Sequence, residues 1–535
     1  MIVTTSALTS GSQCRQRSTQ TGMRIGLARG RRGGRRAVVR HRALIYGPKE
    51  GPSRTMSIEP ILNIAIDLPD RNSRDLLRSL HRQLRAAIVE GRLQAGIRLP
   101  PTRAFAKALG VSRNTAVAAY DLLLSEGYVE ARSGAGTFVT DLRPRIERPK
   151  ALQADAEADM RLAPPWRGWR PVSEYCSDRD FRYDFIAGVP DMRFPFDIWQ
   201  RLSTRATRRV ARRRVQERDP AGEHALREAI ANHVSFVRAV ACAPDDIVVT
   251  GGARQAIDLI ARILVTPGST VAAVEDPGYG PTRRSLEAAG ATIVPVPVDG
   301  EGIVVDRLPQ TARIVCVTPS HQFPLGVAMS AARRTKLLDF AASHGAVIVE
   351  DDYDSEFRHD HLPLDALQTL DRSATVFYVG TFSKSMFPEL RVGFVVVPRW
   401  ARYALTLAKQ LNDWHCPLIT QLALADFIAE GHLARHVRKM RRIYSERRSA
   451  LSSAIGLHFG DRLVPLPAHA GVHIAATGSF DEQALVASAE AAGLRVEDIA
   501  RYAIRDIGQS GLVFGFGAIE AGDIEPAIRS LARLV

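Results

Sequence analysis

Long apolar runs are missing from this 535-residue sequence. No stretch reaches eighteen consecutive apolar residues, which excludes a membrane-spanning helix. Cysteine is scarce: Cys14, Cys176, Cys242, Cys316 and Cys416 lie far apart, with no CxxC pair. That argues against a disulfide framework and fits a reducing cytoplasm, and no metal centre is expected. No unit repeats along the chain. Acidic residues are nearly absent from one region only. Residues 1 to 55 carry eleven Arg and one Lys against a single acid, Glu50, so this segment supplies +11 of the total +15. The remaining 480 residues carry about +4, and the basic excess does not belong to the folded body. Rich in Gly, Ser and Thr, the segment 1–55 cannot bury enough apolar surface to offset ordering, so disorder is expected. As a basic arm it suits DNA phosphates. The alternative is that translation starts at Met56, where the sequence becomes orderly. No apolar core of a secretory signal follows the charges.

What is present divides the chain. From Asp75 to Gly91, apolar residues fall at Leu76, Leu77, Leu80, Leu84 and Ile88, the spacing of one helical face. Two shorter helical patterns follow, Thr102 to Leu109 and Ser112 to Leu124, broken at Gly110-Val111. Two short strands, around Val129 and Phe138, flank Ser133-Gly-Ala-Gly136. Three helices and a hairpin over residues 74–140 make a winged helix-turn-helix of α+β class. Residues 141–180 are rich in proline and charge and read as a linker. Residues 181–535 alternate buried strands, such as Ile314–Val317 and Val347–Val349, with helical stretches. That pattern predicts an α/β domain with a mainly parallel sheet covered on both faces. A smaller α+β portion closes the chain after a helical stretch from Ala401 to Leu457.

The first domain carries five blocks in order: Leu99-Pro-Pro-Thr-Arg103, Leu109-Gly-Val-Ser-Arg-Asn-Thr-Ala-Val117, Tyr120, Glu126-Gly-Tyr128 and Gly134-Ala-Gly-Thr-Phe-Val139. Over this whole length it resembles the GntR-family winged helix, so double-stranded operator DNA is the expected partner. Ser112 can cap the recognition helix. Arg113, Asn114 and Thr115 then lie on the first turn, the part that enters the major groove in helix-turn-helix docking. Arg and Asn donors suit guanine and adenine edges. Arg103 opens the preceding helix beside the phosphates. Gly134 and Gly136 permit a tight wing, from which Arg132 can reach phosphate or the minor groove. Leu109, Val111, Val117 and Leu124 read as core.

The second domain carries Thr250-Gly-Gly-Ala-Arg-Gln255 between a strand and a helix, and Glu275-Asp-Pro-Gly-Tyr279 after the next strand. Thr318-Pro-Ser-His-Gln-Phe-Pro-Leu-Gly326 and Glu350-Asp-Asp-Tyr-Asp-Ser-Glu-Phe357 follow, then Gly380-Thr-Phe-Ser-Lys-Ser-Met-Phe-Pro-Glu-Leu-Arg-Val-Gly393. Their order resembles fold-type I aminotransferases, which use pyridoxal 5'-phosphate. The resemblance implies that Lys384 forms the imine with the cofactor aldehyde, for which a lysine must be partly deprotonated. It makes Asp351 the partner of the pyridine nitrogen, Tyr353 the donor to the phenolic oxygen and Tyr279 the stacking aromatic. Asp351 and Tyr353 are offset by two, so at a strand end both point the same way. Gly252, Ala253 and Arg254 form a phosphate cup at a helix N-terminus, with Thr381, Ser383 and Arg391 alongside. His321 and Gln322 lie near the ring.

Taken together, the chain resembles the MocR subgroup of GntR-family regulators. That implies a head-to-tail homodimer, working in the cytoplasm at the bacterial nucleoid. It would sense pyridoxal phosphate, or an amine or amino acid that reacts with it. Three positions depart from the family pattern. Leu325 stands where threonine is typical. Leu512, in Ser510-Gly-Leu-Val-Phe-Gly-Phe-Gly517, stands where aminotransferases carry the arginine that clamps the substrate carboxylate. Arg501 and Arg505 are the candidate replacements. Val215-Gln-Glu-Arg218 lacks the tyrosine that precedes Asp219-Pro-Ala-Gly222 in relatives. These departures argue against efficient transamination. The competing readings are a working aminotransferase with an appended DNA-binding domain, and a scaffold that has lost its cofactor.

Overall fold

The computed structural model describes residues 41–43, 64, 66–69, 73, 75–141, 161–167, 180–212, 218–354, 356–359, 365–506, 508 and 510–535. Apart from 41–43, the basic extension 1–55 lies outside these residues, as does most of the linker 141–180. The chain divides into two compact units, Met1–Ala154 and Asp155–Val535.

In the first unit a short strand β1 (His41–Ala43) pairs antiparallel with β2 (Ile66–Leu68). The sequence reading opened the winged domain at 74, yet Ile64, Ile66 and Leu68 are buried in its core. They alternate with exposed Asp67, which is strand periodicity too short to stand out in sequence. Helices α1 (Leu76–Val89), α2 (Thr102–Leu109) and α3 (Arg113–Ser125) follow. Gly110 ends α2 at φ 64°, a left-handed residue that suits glycine. Ser112 caps α3, its Oγ accepting the Thr115 N–H at 3.0 Å. The buried stripe of α3 is Ala116, Ala119, Tyr120 and Leu123. Leu124, expected in the core, is exposed, and Val117 is only half-buried. A helix turns about 100° per residue, so Leu122, Leu123 and Leu124 cannot all face inward, and Leu123 takes the core position. The hairpin of β3 (Val129–Arg132) and β4 (Gly136–Val139) forms the wing.

The second unit opens with β5 (Tyr183–Asp184), α4 (Phe196–Arg212) and α5 (His224–Arg238). Strands and helices then alternate: β6 (Ile247–Thr250), α6 (Ala253–Leu264), β7 (Val271–Asp276), α7 (Gly280–Ala288), β8 (Thr292–Asp299), β9 (Gly302–Ile303), β10 (Ala312–Val317), α8 (Ala331–His344), β11 (Val347–Asp352), α9 (Leu367–Leu370), β12 (Val376–Thr381) and β13 (Gly393–Val396). The eight strands order as β6-β13-β12-β11-β10-β7-β8-β9. Neighbours from β12 to β8 run parallel, while β13 is antiparallel to both β12 and β6. Consecutive residues of β11 and β12 enter cores on opposite faces: Ile348 and Val376 on one, Val349 and Phe377 on the other. Burial on both faces is why these strands read as unbroken apolar runs.

Helices α10 (Arg402–Asp413), α11 (Leu418–Ala429) and α12 (His432–Phe459) lead to a smaller layer. It comprises β14 (Leu463–Pro465), β15 (His473–Gly478), α13 (Glu482–Ala491), β16 (Leu494–Arg495), β17 (Glu497–Asp498), β18 (Ser510–Gly515) and α14 (Ala521–Ala532). Its sheet orders as β14-β15-β18-β17, all antiparallel. No helix among the described residues is long and apolar enough to cross a membrane.

Candidate functional site

Parallel strands expose their carboxyl ends along one sheet edge, where open α/β sheets hold ligands. Here β6 ends at Thr250, β7 at Asp276, β10 at Val317, β11 at Asp352 and β12 at Thr381. The antiparallel β13 starts at the same edge, with Gly393 beside both Thr381 and Thr250. That register brings three distant segments together. A β-carbon on Gly393 would lie 2.9 Å from the Gly252 Cα, so only glycine lets the backbones meet. A β-carbon on Gly252 would touch the Arg391 guanidinium at 3.5 Å. Arg391 itself adopts φ 50°, a strained conformation for a side-chain-bearing residue. Just after β12, the Thr381 Oγ1 donates to Ser383 Oγ at 3.2 Å. No side chain caps the N-terminus of α6, which begins at Ala253 after Gly252. The result is a cup of hydroxyls, a guanidinium and helix-terminal N–H groups, a set that suits a phosphate.

Above the cup, the Arg254 guanidinium reaches Tyr279 Oη at 3.3 Å. Tyr279 and Asp351 line one cavity, together with Glu275, Thr318, Arg501 and Tyr502. Lys384 Nζ donates to the carbonyl of Gly188, where a β-carbon would come within 3.0 Å of the amine. Sequence reading missed Gly188; at 196 residues from Lys384, no local pattern announces the contact.

The acidic run divides by strand alternation. Glu350 accepts the N–H groups of Leu367 and Gln368. Asp352 accepts from the buried Arg238 at 2.7 Å and from Tyr378 at 2.6 Å. Asp351, between them, points to the other face. It is buried, and its Oδ1 has no hydrogen-bond partner among the described residues. Burial, reinforced by Asp352, Asp354 and Glu275 and opposed by Lys384, pushes its pKa up to about 7. A buried carboxylate oxygen without a donor is costly unless something supplies one. A protonated pyridine nitrogen is such a donor, so the pocket fits pyridoxal phosphate.

Tyr353 donates to the His321 carbonyl at 2.9 Å, with His321 Nδ1 3.1 Å away. His321 is buried and held by Asp354 at 3.1 Å, with the Tyr353 and His473 rings beside it, while Phe323 packs against Tyr279 and Tyr353. Gln322 is spent on its own loop and on the neighbouring segment 275–279. Its amide donates to Pro277 and Phe323 carbonyls, and its Oε1 accepts from Leu325. It therefore shapes the loop rather than reaching a ring. Leu325 packs into the same apolar cluster.

On β18, Leu512 faces the main core, not the pocket. Its neighbour Val513 joins the apolar cluster of Ala187, Phe323, Ala475 and Ile499. The face of β18 opposite Leu512 thus carries valine, and neither position holds an arginine. Of the two candidate replacements Arg501 lines the cavity, while Arg505 contributes a backbone N–H to Asp276. Of the segment Val215-Gln-Glu-Arg218, where the tyrosine is absent, residues 215–217 lie outside the described ones.

In the small unit, Arg103, Ser112, Arg113 and Asn114 are exposed and Thr115 half-buried, along the N-terminal turns of α2 and α3. Arg132 pairs with Glu130 at 2.7 Å and lies 4.5 Å over the Phe138 ring. Gly136 has φ 114°, and a β-carbon there would meet Arg98 Nε at 2.8 Å. Arg98 was not singled out in the sequence. Arg113→Ala is expected to weaken binding to a specific DNA fragment by about 1–3 kcal/mol, with little change on random DNA. Equal affinities in a gel-shift series would contradict this role.

The model of "Bacterial regulatory proteins, gntR family" matches residues 76–139, and that of "Aminotransferase class I and II" matches 201–473. The chain is 39% identical to the "Probable rhizopine catabolism regulatory protein MocR" of Rhizobium meliloti, over 85% of this chain and 92% of that protein. It is 31% identical to the "HTH-type pyridoxine biosynthesis transcriptional regulator PdxR" of Corynebacterium glutamicum, over 86% and 95%. Among solved structures it resembles the kynurenine aminotransferase of Pyrococcus horikoshii in complex with PMP, at 25% identity and a TM-score of 0.62, covering 67% of this chain and 91% of that one.

Proposed function

Since this chain belongs to the MocR-type transcriptional regulators, a GntR-family DNA-binding domain joined to an aminotransferase class I and II domain, we propose that it binds pyridoxal 5'-phosphate at Lys384 and thereby controls its grip on operator DNA. The observation that carries the cofactor reading is the donor-less Asp351 Oδ1 in a buried pocket shared with Tyr279. Bound there, the cofactor supplies an aldehyde that reacts with amines and a ring that draws electrons.

The chain's own residues divide the remaining work. Lys384 offers the amine, and Asp351 keeps a proton at the ring nitrogen. Tyr353, whose hydroxyl otherwise donates to the His321 carbonyl, would turn its proton to the phenolic oxygen when the ring is bound. Tyr279 covers one ring face. Gly252, Ala253, Arg254, Thr381, Ser383 and Arg391 hold the phosphate. Arg113, Asn114 and Thr115 read bases, while Arg103, Arg132 and the wing at Gly136 grip the backbone. The valine at 513 speaks for sensing rather than efficient turnover of amino acids. Helix α10 presents Tyr403, Leu407 and Leu411 to solvent at helical spacing, and Trp414 follows directly after it. Such an apolar stripe suits a second copy, and paired winged helices suit paired half-sites in the nucleoid.

Coupling requires that the ligand bind two arrangements of the protein unequally. Affinity for DNA from upstream of its own gene is expected to differ between cofactor-free and loaded protein by roughly 5- to 150-fold. Identical affinities in fluorescence anisotropy would refute cofactor control.

A further inference from the structure

We infer that Arg98, on the segment leading into α2, is the cation through which the wing grips a DNA phosphate. The inference rests on the DNA-binding reading above and adds a contact residue to it. The segment 96–99 runs antiparallel beside β4. The Leu99 N–H donates to the Thr137 carbonyl at 2.8 Å, and the Val139 N–H to the Ile97 carbonyl at 2.9 Å. Arg98 therefore stands opposite Phe138, and Phe138 stands opposite Glu130 of β3. Directly opposed residues share a face, and Arg132 joins them two residues beyond Glu130. The other face carries Leu99, Val129 and Val139 into the core. The outer face of the wing thus holds two guanidinium groups and one carboxylate, and the turn Ser133-Gly-Ala-Gly136 adds no cation.

The two arginines are not equivalent. Arg132 is committed to Glu130, to which its Nε donates at 2.7 Å, and to the Phe138 ring beneath it. A phosphate arriving there would meet the Glu130 carboxylate, and like charges repel. Arg98 is exposed and forms no ion pair among the described residues. Its guanidinium lies against Gly136, where a side chain would displace it: a β-carbon there would come 2.8 Å from Nε. The chain beyond it is stiff. Pro100 and Pro101 fix φ in the link to α2. Tyr120 of α3 donates to the Pro100 carbonyl at 3.0 Å, which ties the link to the recognition helix. Arg98 is thereby held between the wing turn and the start of α2, where Arg103 is also exposed. A cation on a backbone already fixed in place has less freedom to lose on contact.

The test uses the full chain at a fixed pyridoxal phosphate concentration, with the DNA fragment upstream of its own gene and a random duplex of equal length. Fluorescence anisotropy over a range of salt concentrations gives the slope of log affinity against log salt, to which each phosphate contact contributes about 0.9. Arg98→Gln is expected to flatten the slope by roughly that amount on both duplexes. Both should weaken equally, by roughly eightfold near 0.1 M salt, the factor that such a slope gives over the tenfold range below 1 M. Arg98→Lys, which keeps the charge, is expected to restore the slope. Arg132→Gln should flatten it markedly less, because Glu130 already shares that charge. A wild-type slope in Arg98→Gln, a loss confined to the upstream fragment, no recovery in Arg98→Lys, or an equal or larger change in Arg132→Gln would overturn the inference alone. A wild-type protein that binds neither duplex would overturn the DNA-binding reading and this inference with it.

Discussion

Lys384→Ala is expected to abolish retention of pyridoxal phosphate through dialysis and to remove the visible absorbance band of the loaded protein. The effect should be total rather than partial, because the lysine supplies a covalent attachment that other contacts cannot replace. Binding of the phosphate should survive at reduced affinity. The cup of Thr381, Ser383, Arg391 and the α6 N-terminus does not depend on the amine. Folding should survive as well, since Lys384 is only half-buried and touches a backbone carbonyl. Soluble Lys384→Ala that keeps the wild-type band would remove this residue from the site.

The second large effect has two opposite signs. Asp351→Asn should weaken cofactor binding by about 1.5–3 kcal/mol, the worth of a hydrogen bond to a charged group. That is roughly 10- to 150-fold. The same substitution should stabilise the cofactor-free protein. Folding raises the Asp351 pKa from 3.8 to about 7, so the folded state prefers the neutral acid. A raised carboxyl contributes its full stability below the unfolded pKa and loses it as pH climbs through the folded one. The gain from Asp351→Asn should therefore grow from about pH 4 to pH 7 and level off above, reaching at most a few kcal/mol. Thermal unfolding of the cofactor-free proteins at pH 5 and pH 8 measures it. A variant less stable than wild type at pH 8 would mean that Asp351 already has a native partner.

The acidic run shows why part of this site was legible in sequence. Strand alternation alone separates Asp351 and Tyr353 from Glu350 and Asp352, and the apolar strand before them says that the run enters a buried edge. Likewise Ser112 fixes the start of α3 through its own cap, so Arg113 and Asn114 can be named before any coordinates. The same alternation also explains the main error. One residue along β18 exchanges the main core for the apolar cluster that Tyr279 and Tyr353 pack against, so an alignment off by one residue changes the face. Gly188 and Asp354 were illegible for another reason. Each acts through a partner brought near by tertiary packing, as Gly188 does on Lys384, 196 residues away. Ile64 and Ile66 belong to the winged core but sit in a stretch too short to show a period.

Most direct is the identity of the modified lysine. The chain has seven, and Lys384 is the only one within the fourteen-residue block Gly380 to Gly393. Borohydride reduction of the protein incubated with pyridoxal phosphate, followed by proteolysis and mass mapping, should find one cofactor mass per chain on the peptide holding residue 384. A label spread over other lysines, or none after reduction, would contradict the account.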